Sequence, residues 1–313
     1  MWNLTSFKLA HIPEDKILLT PLLDFFESAP RLRDITLFDS IPKFSDAPPE
    51  RIVSLPSLAE LGISAGPAHS TLLDHLSIPF GALVTLNFTF NGASFPILAH
   101  IPIRSDNLRN LSHIATANLY FGSEWRGMLL TGPSGALRVL GRWRCEGARP
   151  PTGTTRLLQS LHRFDTSRCL LLGITDYNSQ PNLSTPIISW PTYQLLLTMG
   201  ALHTLVLIES NHLTFILTLD PKKNPDGTIL CPRLEQIILY IKSPPQLHVN
   251  ELSSMAEERA SREVKLSAIT IVSTDALAPP MELFELRKYV SRVEHKFGNE
   301  SPVWDTLRMI SSV

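Results

Sequence analysis

The chain is short of the features that mark most chemistries. Its 313 residues hold only three cysteines, Cys145, Cys169 and Cys231, an odd number set far apart with no Cys-x-x-Cys pair. That excludes a disulfide-stapled scaffold and a cysteine-built zinc site, and it predicts buried, reduced thiols in a cytoplasmic or nuclear protein. Neither Gly-x-x-x-x-Gly-Lys-Ser/Thr nor Gly-x-Gly-x-x-Gly occurs, so no loop is encoded to cradle nucleotide phosphates. No apolar stretch approaches the ~18 uninterrupted residues of a membrane span. The opening Met1-Trp-Asn-Leu-Thr-Ser-Phe-Lys8 has no basic region followed by a long apolar run, so it is no signal peptide. Charge is scarce too: 18% of residues are charged and the net charge is −1, below the roughly 25% charged of average soluble domains. Neither nucleic acid nor a membrane is an expected partner.

Catalytic groups are equally thin. Ser134 lies in Gly132-Pro133-Ser134-Gly135, not in the Gly-x-Ser-x-Gly of a nucleophile elbow, and reads as a turn between a helix-like segment and a strand. His69 and His75 flank Asp74, but i and i+6 do not share a helix face well enough to hold a metal. No nucleophile, base and orienting acid can be nominated together. The expectation is a non-enzyme with no cofactor and no metal. The Asn-x-Ser/Thr triplets at Asn3, Asn87, Asn110, Asn182 and Asn299 carry no meaning in a cytosolic chain.

Leucine in a period is what the chain does have. A phrase Φ-x-x-Φ-x-Φ, Φ being apolar, returns at intervals of roughly 23 to 33 residues, a period in the range of stacked repeats. It reads Leu4-x-x-Phe7-x-Leu9, Leu32-x-x-Ile35-x-Leu37, Leu58-x-x-Leu61-x-Ile63 and Leu83-x-x-Leu86-x-Phe88. Weaker copies follow at Ile114-x-x-Ala117-x-Leu119, Leu137-x-x-Leu140 and Leu170-x-Leu172-x-Ile174. It sharpens at Leu202-x-x-Leu205-x-Leu207, Leu234-x-x-Ile237-x-Leu239 and Leu266-x-x-Ile269-x-Ile271, with an eleventh strand expected at Val290-x-x-Val293-x-His295. Apolar positions at i, i+3 and i+5 fit no helical stripe; they fit a short strand whose alternate side chains point inward, entered from a corner.

One such strand buries almost nothing alone, but stacked strands make a parallel sheet with one continuous core. Parallel neighbours need a return of a dozen or more residues, and the period leaves room for it. Helical returns are expected over Asp15–Ser28 with Leu18, Leu22 and Phe25 or Phe26 inward, and over Thr155–Phe164. Others are expected after Pro191 with Gly200 as cap, through Leu252, Met255 and Arg259 behind an Asn250 cap, and from Pro280. Prolines 30, 56, 79 and 232 work as corners ahead of strands. The fold class is therefore α/β: a right-handed leucine-rich-repeat solenoid, a curved parallel sheet with helices and loops on its convex side, in about ten irregular repeats lacking a full asparagine ladder. It forms a single domain over 1–313, with approximate repeats 1–29, 30–56, 57–80, 81–110, 111–135, 136–168, 169–200, 201–232, 233–264 and 265–313. Met1 sits almost on the first strand phrase, where solenoids normally carry a cap, so a preceding segment is expected.

One charge anomaly stands out. Arg138, Arg142, Arg144, Arg149, Arg156, Arg163 and Arg168 fall close together against only Glu146 and Asp165. Arg142 and Arg144 lie on the Leu137 strand and its exit with Trp143 between them, and these three are the candidate partner-binding residues. Arginine and tryptophan are favoured anchors of binding hot spots, and a guanidinium suits carboxylate or phosphate partners. The bland reading is that these arginines only solvate a convex helix and loop. In the repeat-nine helix, Glu251 to Arg262, opposite signs at i and i+4 read as an ordinary solvated face.

The stretch Cys231-Pro-Arg-Leu-Glu-Gln-Ile-Ile-Leu-Tyr240, then Leu252–Arg262 and Lys265-Leu-Ser-Ala-Ile-Thr-Ile-Val272, resembles a known family. So does the ending, Leu286-Arg-Lys-Tyr-Val-Ser-Arg-Val-Glu-His295 with Pro302-Val-Trp-Asp305. Together they resemble the C-terminal repeats of the F-box and leucine-rich-repeat proteins multiplied in mushroom-forming (basidiomycete) fungi. The resemblance implies a substrate receptor of an SCF-type (Skp1-cullin-F-box) ubiquitin ligase, with repeats that receive a protein substrate and no catalytic residues. A Skp1-like adaptor is implied as partner only where an F-box precedes the repeats, and no Leu-Pro-x-Glu-Ile-Leu-like segment stands before the first one here. The alternatives are a stand-alone repeat protein unrelated to ubiquitin, a hydrolase in a degenerate solenoid, and a degenerate gene copy.

Overall fold

The computed structural model describes residues 3–12, 17–40, 47–64, 72–90, 107–122, 125–143, 158, 161, 164–176, 190–208, 212–241, 249–273 and 283–298. The chain gathers into two compact units, Met1–Thr166 and Ser167–Val313. Both are α/β, and their sheets are open and mostly parallel.

In the first unit the apolar phrases become strands β1 (Ser6–Ala10), β2 (Asp34–Phe38), β4 (Glu60–Ser64) and β6 (Leu83–Phe90), each parallel to the last. Ile35, Leu37, Leu61, Ile63, Val84 and Leu86 are all 1% exposed or less, so one face of the sheet is core. Helix α1 (Leu19–Ser28) packs on it, with Phe7 of β1 at 4.7 Å from the Phe25 ring and 6.0 Å from that of Phe26. Further along, two-residue strands β3 (Val53–Ser54) and β5 (Leu76–Ser77) pair in parallel as a separate small sheet. His75 braces them, its Nδ1 2.7 Å from the Arg51 carbonyl.

In four of the phrases the first apolar residue has its own role. Leu32, Leu58, Leu202 and Leu234 close turns by donating their N–H to the carbonyls of Ala29, Leu55, Met199 and Cys231 at 2.9–3.1 Å, and both ends of each turn are buried. One residue ahead of the strand, a carbonyl then accepts two N–H groups from the start of the next strand: Thr5 from Arg33 and Asp34, Arg33 from Ala59 and Glu60. In the second unit Leu170, His203 and Glu235 repeat the arrangement.

The next strands depart from the parallel plan. Ile114-x-x-Ala117-x-Leu119 lands on β7 (Thr116–Phe121) and the Leu137 phrase on β9 (Gly135–Trp143), but between them runs β8 (Trp125–Gly132) where a helix-like segment is expected. β8 is antiparallel to both, and β6 pairs with β9, giving the order β1-β2-β4-β6-β9-β8-β7. Ser134 does lie in a turn, the tight one closing β8 and β9, and Gly135 there holds φ +129°. A Cβ at Gly132 would overlap the His113 carbonyl, so only glycine lets β8 cross at that point. Asn110 steadies the join: its Nδ2 donates to the Ala82 carbonyl at 3.2 Å and the Ala136 carbonyl at 2.9 Å.

The second unit is regular: β10 (Leu171–Asp176), α2 (Trp190–Thr198), β11 (Thr204–Ile208), α3 (His212–Leu219), β12 (Gln236–Ile241), α4 (Val249–Ser261), β13 (Ala268–Ser273), α5 (Leu283–Leu286) and β14 (Arg292–Phe297). Its strands lie in sequence order and all parallel, with Leu205, Ile237, Ile269 and Val293 in one row. β14 is the expected eleventh strand.

Several helix details differ from expectation. Leu18 stands ahead of α1 in extended backbone and is 58% exposed, while Leu19, Leu22, Leu23 and Phe26 face the core. Asn250 lies inside the first turn of α4, which begins at Val249. Gly200 follows α2 without a left-handed φ. Asp15, Thr155, Leu157 and Pro280 lie outside the described residues.

Arg259, on the line of Leu252 and Met255, stands apart from the solvated face of α4. Arg259 is 0% exposed, and its Nη1 and Nη2 donate to the carbonyls of Leu230 and Cys231 at 2.9 Å each. These carbonyls belong to the corner before β12, where Cys231 itself takes φ +47°. Burial pulls the Arg259 guanidinium below its usual value and pushes the Cys231 thiol up to about 12. A thiol raised from 9.0 supports the fold while neutral, and that support fades as pH climbs through about 12. Glu258 and Arg262 do form the exposed i,i+4 pair, at 2.8 Å, and Lys222 joins Glu258 at 2.9 Å.

Two stability outcomes follow. Leu205→Ala, at a 0% exposed site, is expected to cost about 2–5 kcal/mol in urea unfolding; a silent result would contradict the register. Arg259→Met removes the donors of two buried carbonyls and is expected to cost about 2–5 kcal/mol, measured the same way, whereas a solvated arginine would be neutral to this change.

Candidate functional site

The outer face of the first unit's sheet, opposite its core, is where side chains can meet a partner. Register fixes its rows. Lys8, Thr36, Gly62, Thr85 and Arg138 stand side by side across β1, β2, β4, β6 and β9, followed by Leu129 of β8 and Asn118 of β7. The next row holds Ala10, Phe38, Ser64, Asn87, Leu140, Gly127 and Tyr120, and beyond it Thr89, Arg142 and Trp125 align.

Arg142 thus comes from a strand position that alternates away from the core, two steps along β9 from Arg138. It is exposed, and its guanidinium carbon lies 5.5 Å from the ring centre of Trp125, which is 39% exposed. Such a stack holds an arginine extended over an aromatic face. Of the other two predicted site residues, Trp143 ends β9 opposite Phe90, and Arg144 lies outside the described residues. The tryptophan that joins Arg142 is therefore Trp125, a cross-strand neighbour invisible to local spacing because the sequence of β8 has a helix-like look.

The four strands β6, β9, β8 and β7 contain three arginines and no aspartate or glutamate. Arg126 turns to the core face and is 2% exposed, so Arg138 and Arg142 are the cations of the outer face there. Arg138 is half-buried between Thr85 and Leu129, neither of which can neutralise it, and its Nε has no hydrogen-bond partner. On the same face the buried Oδ1 atoms of Asn87 and Asn118 also have none. Nearby, burial raises the Tyr120 phenol above its usual value. Orphaned donors and acceptors of this kind each forfeit about 1–3 kcal/mol unless something satisfies them.

No family model, curated protein or solved structure matches the chain. The candidate site therefore rests on its own geometry. Among the described residues no group of three or more histidine, cysteine, aspartate or glutamate side chains is arranged to hold a metal ion, and no helix is long and apolar enough to cross a membrane.

In the second unit a hydroxyl meets an imidazole. Ser273 Oγ sits 3.0 Å from His295 Nε2, the two being diagonal neighbours on the same side of β13 and β14. Ser273 is 0% exposed, and burial lowers the His295 pKa. A nucleophile so buried is out of reach of a substrate, so the pair acts as a polar link between two strands.

The Arg142–Trp125 contact is testable without a partner. In a double-mutant cycle of Arg142→Ala and Trp125→Leu, the coupling in unfolding free energy is expected to be about 0.5–1 kcal/mol; additive effects would mean the stack contributes nothing.

Proposed function

We propose that this chain is a protein-recognition scaffold, a leucine-rich-repeat solenoid that uses the outer face of its sheet to receive a protein target, and that it serves as a substrate receptor of an SCF-type ubiquitin ligase. The observation that carries the scaffold reading is the repeated unit itself: a buried turn, a carbonyl shared by two N–H groups of the next coil, and a strand with one apolar side. Such a unit is made to stack and to present a broad face. Arg142 stacked on Trp125, with Arg138 beside it, supplies arginine and tryptophan anchors of the type that dominate binding energy. The ubiquitin link rests on the resemblance of the last repeats and on the absence of any need for chemistry in a receptor, which acts by raising the concentration of a target beside a transferring enzyme. A Skp1-like adaptor would be engaged by an F-box ahead of the repeats.

Proximity labelling in cells expressing the chain, with and without proteasome inhibition, tests this. A receptor's labelled set is expected to gain proteins when the proteasome is blocked, and Arg142→Glu is expected to remove those proteins while leaving the unfolding midpoint unchanged. A set indifferent to the inhibitor but lost in Arg142→Glu would make the chain a stand-alone binder. A set indifferent to both would remove the outer face from the function.

A further inference from the structure

The second unit holds an aromatic surface that its own packing uses on one side only. Trp190 opens α2 and is 64% exposed, more than any other large apolar side chain described in that unit. It does not stand loose. Its ring lies nearly parallel to that of Tyr193, with 12° between the planes and 5.5 Å between the centres. Tyr193 is buried, so the stack fixes one face of the indole against the fold and leaves the other to solvent. Leu197, seven residues on and so two turns along the same side of α2, is also exposed and extends the apolar strip.

A carboxylate stands at the end of this stack. The Tyr193 hydroxyl donates to Asp226 Oδ1 at 3.4 Å, and the Thr228 N–H donates to the same oxygen at 3.0 Å. Neutral donors, the Thr228 hydroxyl first among them, hold the exposed Asp226 carboxyl below its usual value, so it keeps its negative charge near neutral pH. No cation pairs with it. Lys222 and Arg262, the latter donating to the neighbouring Gly227 carbonyl, are both taken by Glu258, at 2.9 and 2.8 Å. Lys223, three residues before Asp226, makes no ion pair with it.

An open indole face and an unpaired negative charge, bridged by one buried tyrosine, set two requirements for a ligand. A neutral aromatic or aliphatic group would cover the ring and leave Asp226 unanswered. A small hydrated cation would answer Asp226 and leave the ring bare. Arginine meets both needs. Its guanidinium is planar, more weakly hydrated than an ammonium, and stacks on aromatic faces while its N–H groups donate to a carboxylate in their own plane. Its methylenes lie along apolar surface behind the charged tip.

We propose that Trp190, Tyr193 and Asp226 form a binding site for an arginine side chain of a protein partner, stacked on the exposed indole and held at its tip by Asp226. The site shares no residue with the outer face of the first unit, so it adds a second point of recognition to the scaffold.

The test uses the full chain, with the Trp190 indole N–H resonance assigned by its loss in Trp190→Phe. The probes are the peptide Gly-Ser-Arg-Ser-Gly and the same peptide with citrulline, the neutral isostere, in place of arginine. The arginine peptide is expected to move the Trp190 resonance to saturation, and the citrulline peptide to bind about tenfold more weakly. Asp226→Asn still offers an acceptor to Thr228 and Tyr193, so it is expected to stay folded while weakening the arginine peptide about threefold. A resonance unmoved by the arginine peptide, equal affinity for the two peptides, or undiminished binding by Asp226→Asn overturns the proposal. Because the residues are separate, such a result leaves the outer-face reading to the labelling experiment, and a failure there leaves this site standing.

Discussion

A carbonyl one residue ahead of a strand, accepting two N–H groups from the segment that enters the next strand, is the contact on which much of the parallel pairing depends. Thr5, Arg33, Leu170, His203 and Glu235 all do this. Each bond contributes only about 0.5–1.5 kcal/mol net. Its larger effect is geometric, since it sets the strand register, and a slip of one residue would turn every inward side chain to the other face. With register fixed, Leu205, Ile237 and Ile269 fall into one row without exposure. The turn behind each corner must then close in little space, which is why a buried residue recurs three positions before the leading leucine. Ala29, Leu55, Met199 and Cys231 fill that place, whereas Cys169 takes the leading position itself, three residues before Leu172, and both cysteines are buried at packing positions. Cys169 and Cys231 form no disulfide.

Arg259 shows what that corner demands when it is strained. A cation buried without a carboxylate is costly, and Arg259 avoids the worst of it by giving two donors to carbonyls of the corner where Cys231 takes a left-handed φ. It also sits in the last turn of its helix, where the dipole favours positive charge. Helix α4 is in this way tied to the corner leading into the preceding strand, linking one coil to the next through a side chain as well as through the backbone.

The phrase Φ-x-x-Φ-x-Φ was enough to locate nearly every strand, since each apolar position in it has a separate physical duty: Leu32 closes the turn, and Ile35 and Leu37 fill the core. The same reasoning missed β8, because Met128-Leu129-Leu130 is a continuous apolar run with no period of its own, and its antiparallel sense depends on a tight turn and on glycine at 132. It also shifted one inward position. Val139 takes the core place where Leu140 fits the phrase, because a strand alternates and the phrase does not fix its phase, whereas Leu86 and Phe88 point inward as the phrase has them. Arg259 was illegible for another reason: an arginine among glutamates at helical spacing looks solvated, and only the tertiary position of the corner reveals two carbonyls in need of donors. The site was partly legible. Arg142 could be placed on the outward alternation of its strand, but its partner Trp125 and its neighbours Asn87 and Asn118 come from strands distant in sequence.

The outer face of the first unit's sheet keeps polar groups at a cost, and that cost points recognition to it. In the second unit buried outer positions, Val206, Ile208, Ala268, Thr270 and Val272, share rows with unburied Gln236, Tyr240, Arg292, Glu294 and Lys296. In the first unit Leu129 and Leu140, both under 9% exposed, share the outer face with Lys8, Asp34, Thr36, Glu60, Thr85, Asn87, Arg138 and Arg142, none of them buried. Polar groups on a sheet face are kept where water or a partner satisfies them, and three atoms there, on Asn87, Asn118 and Arg138, are screened from water without a bond inside the chain. Leaving such atoms unsatisfied forgoes stability, so these polar residues are better explained by what the face meets than by what it holds together.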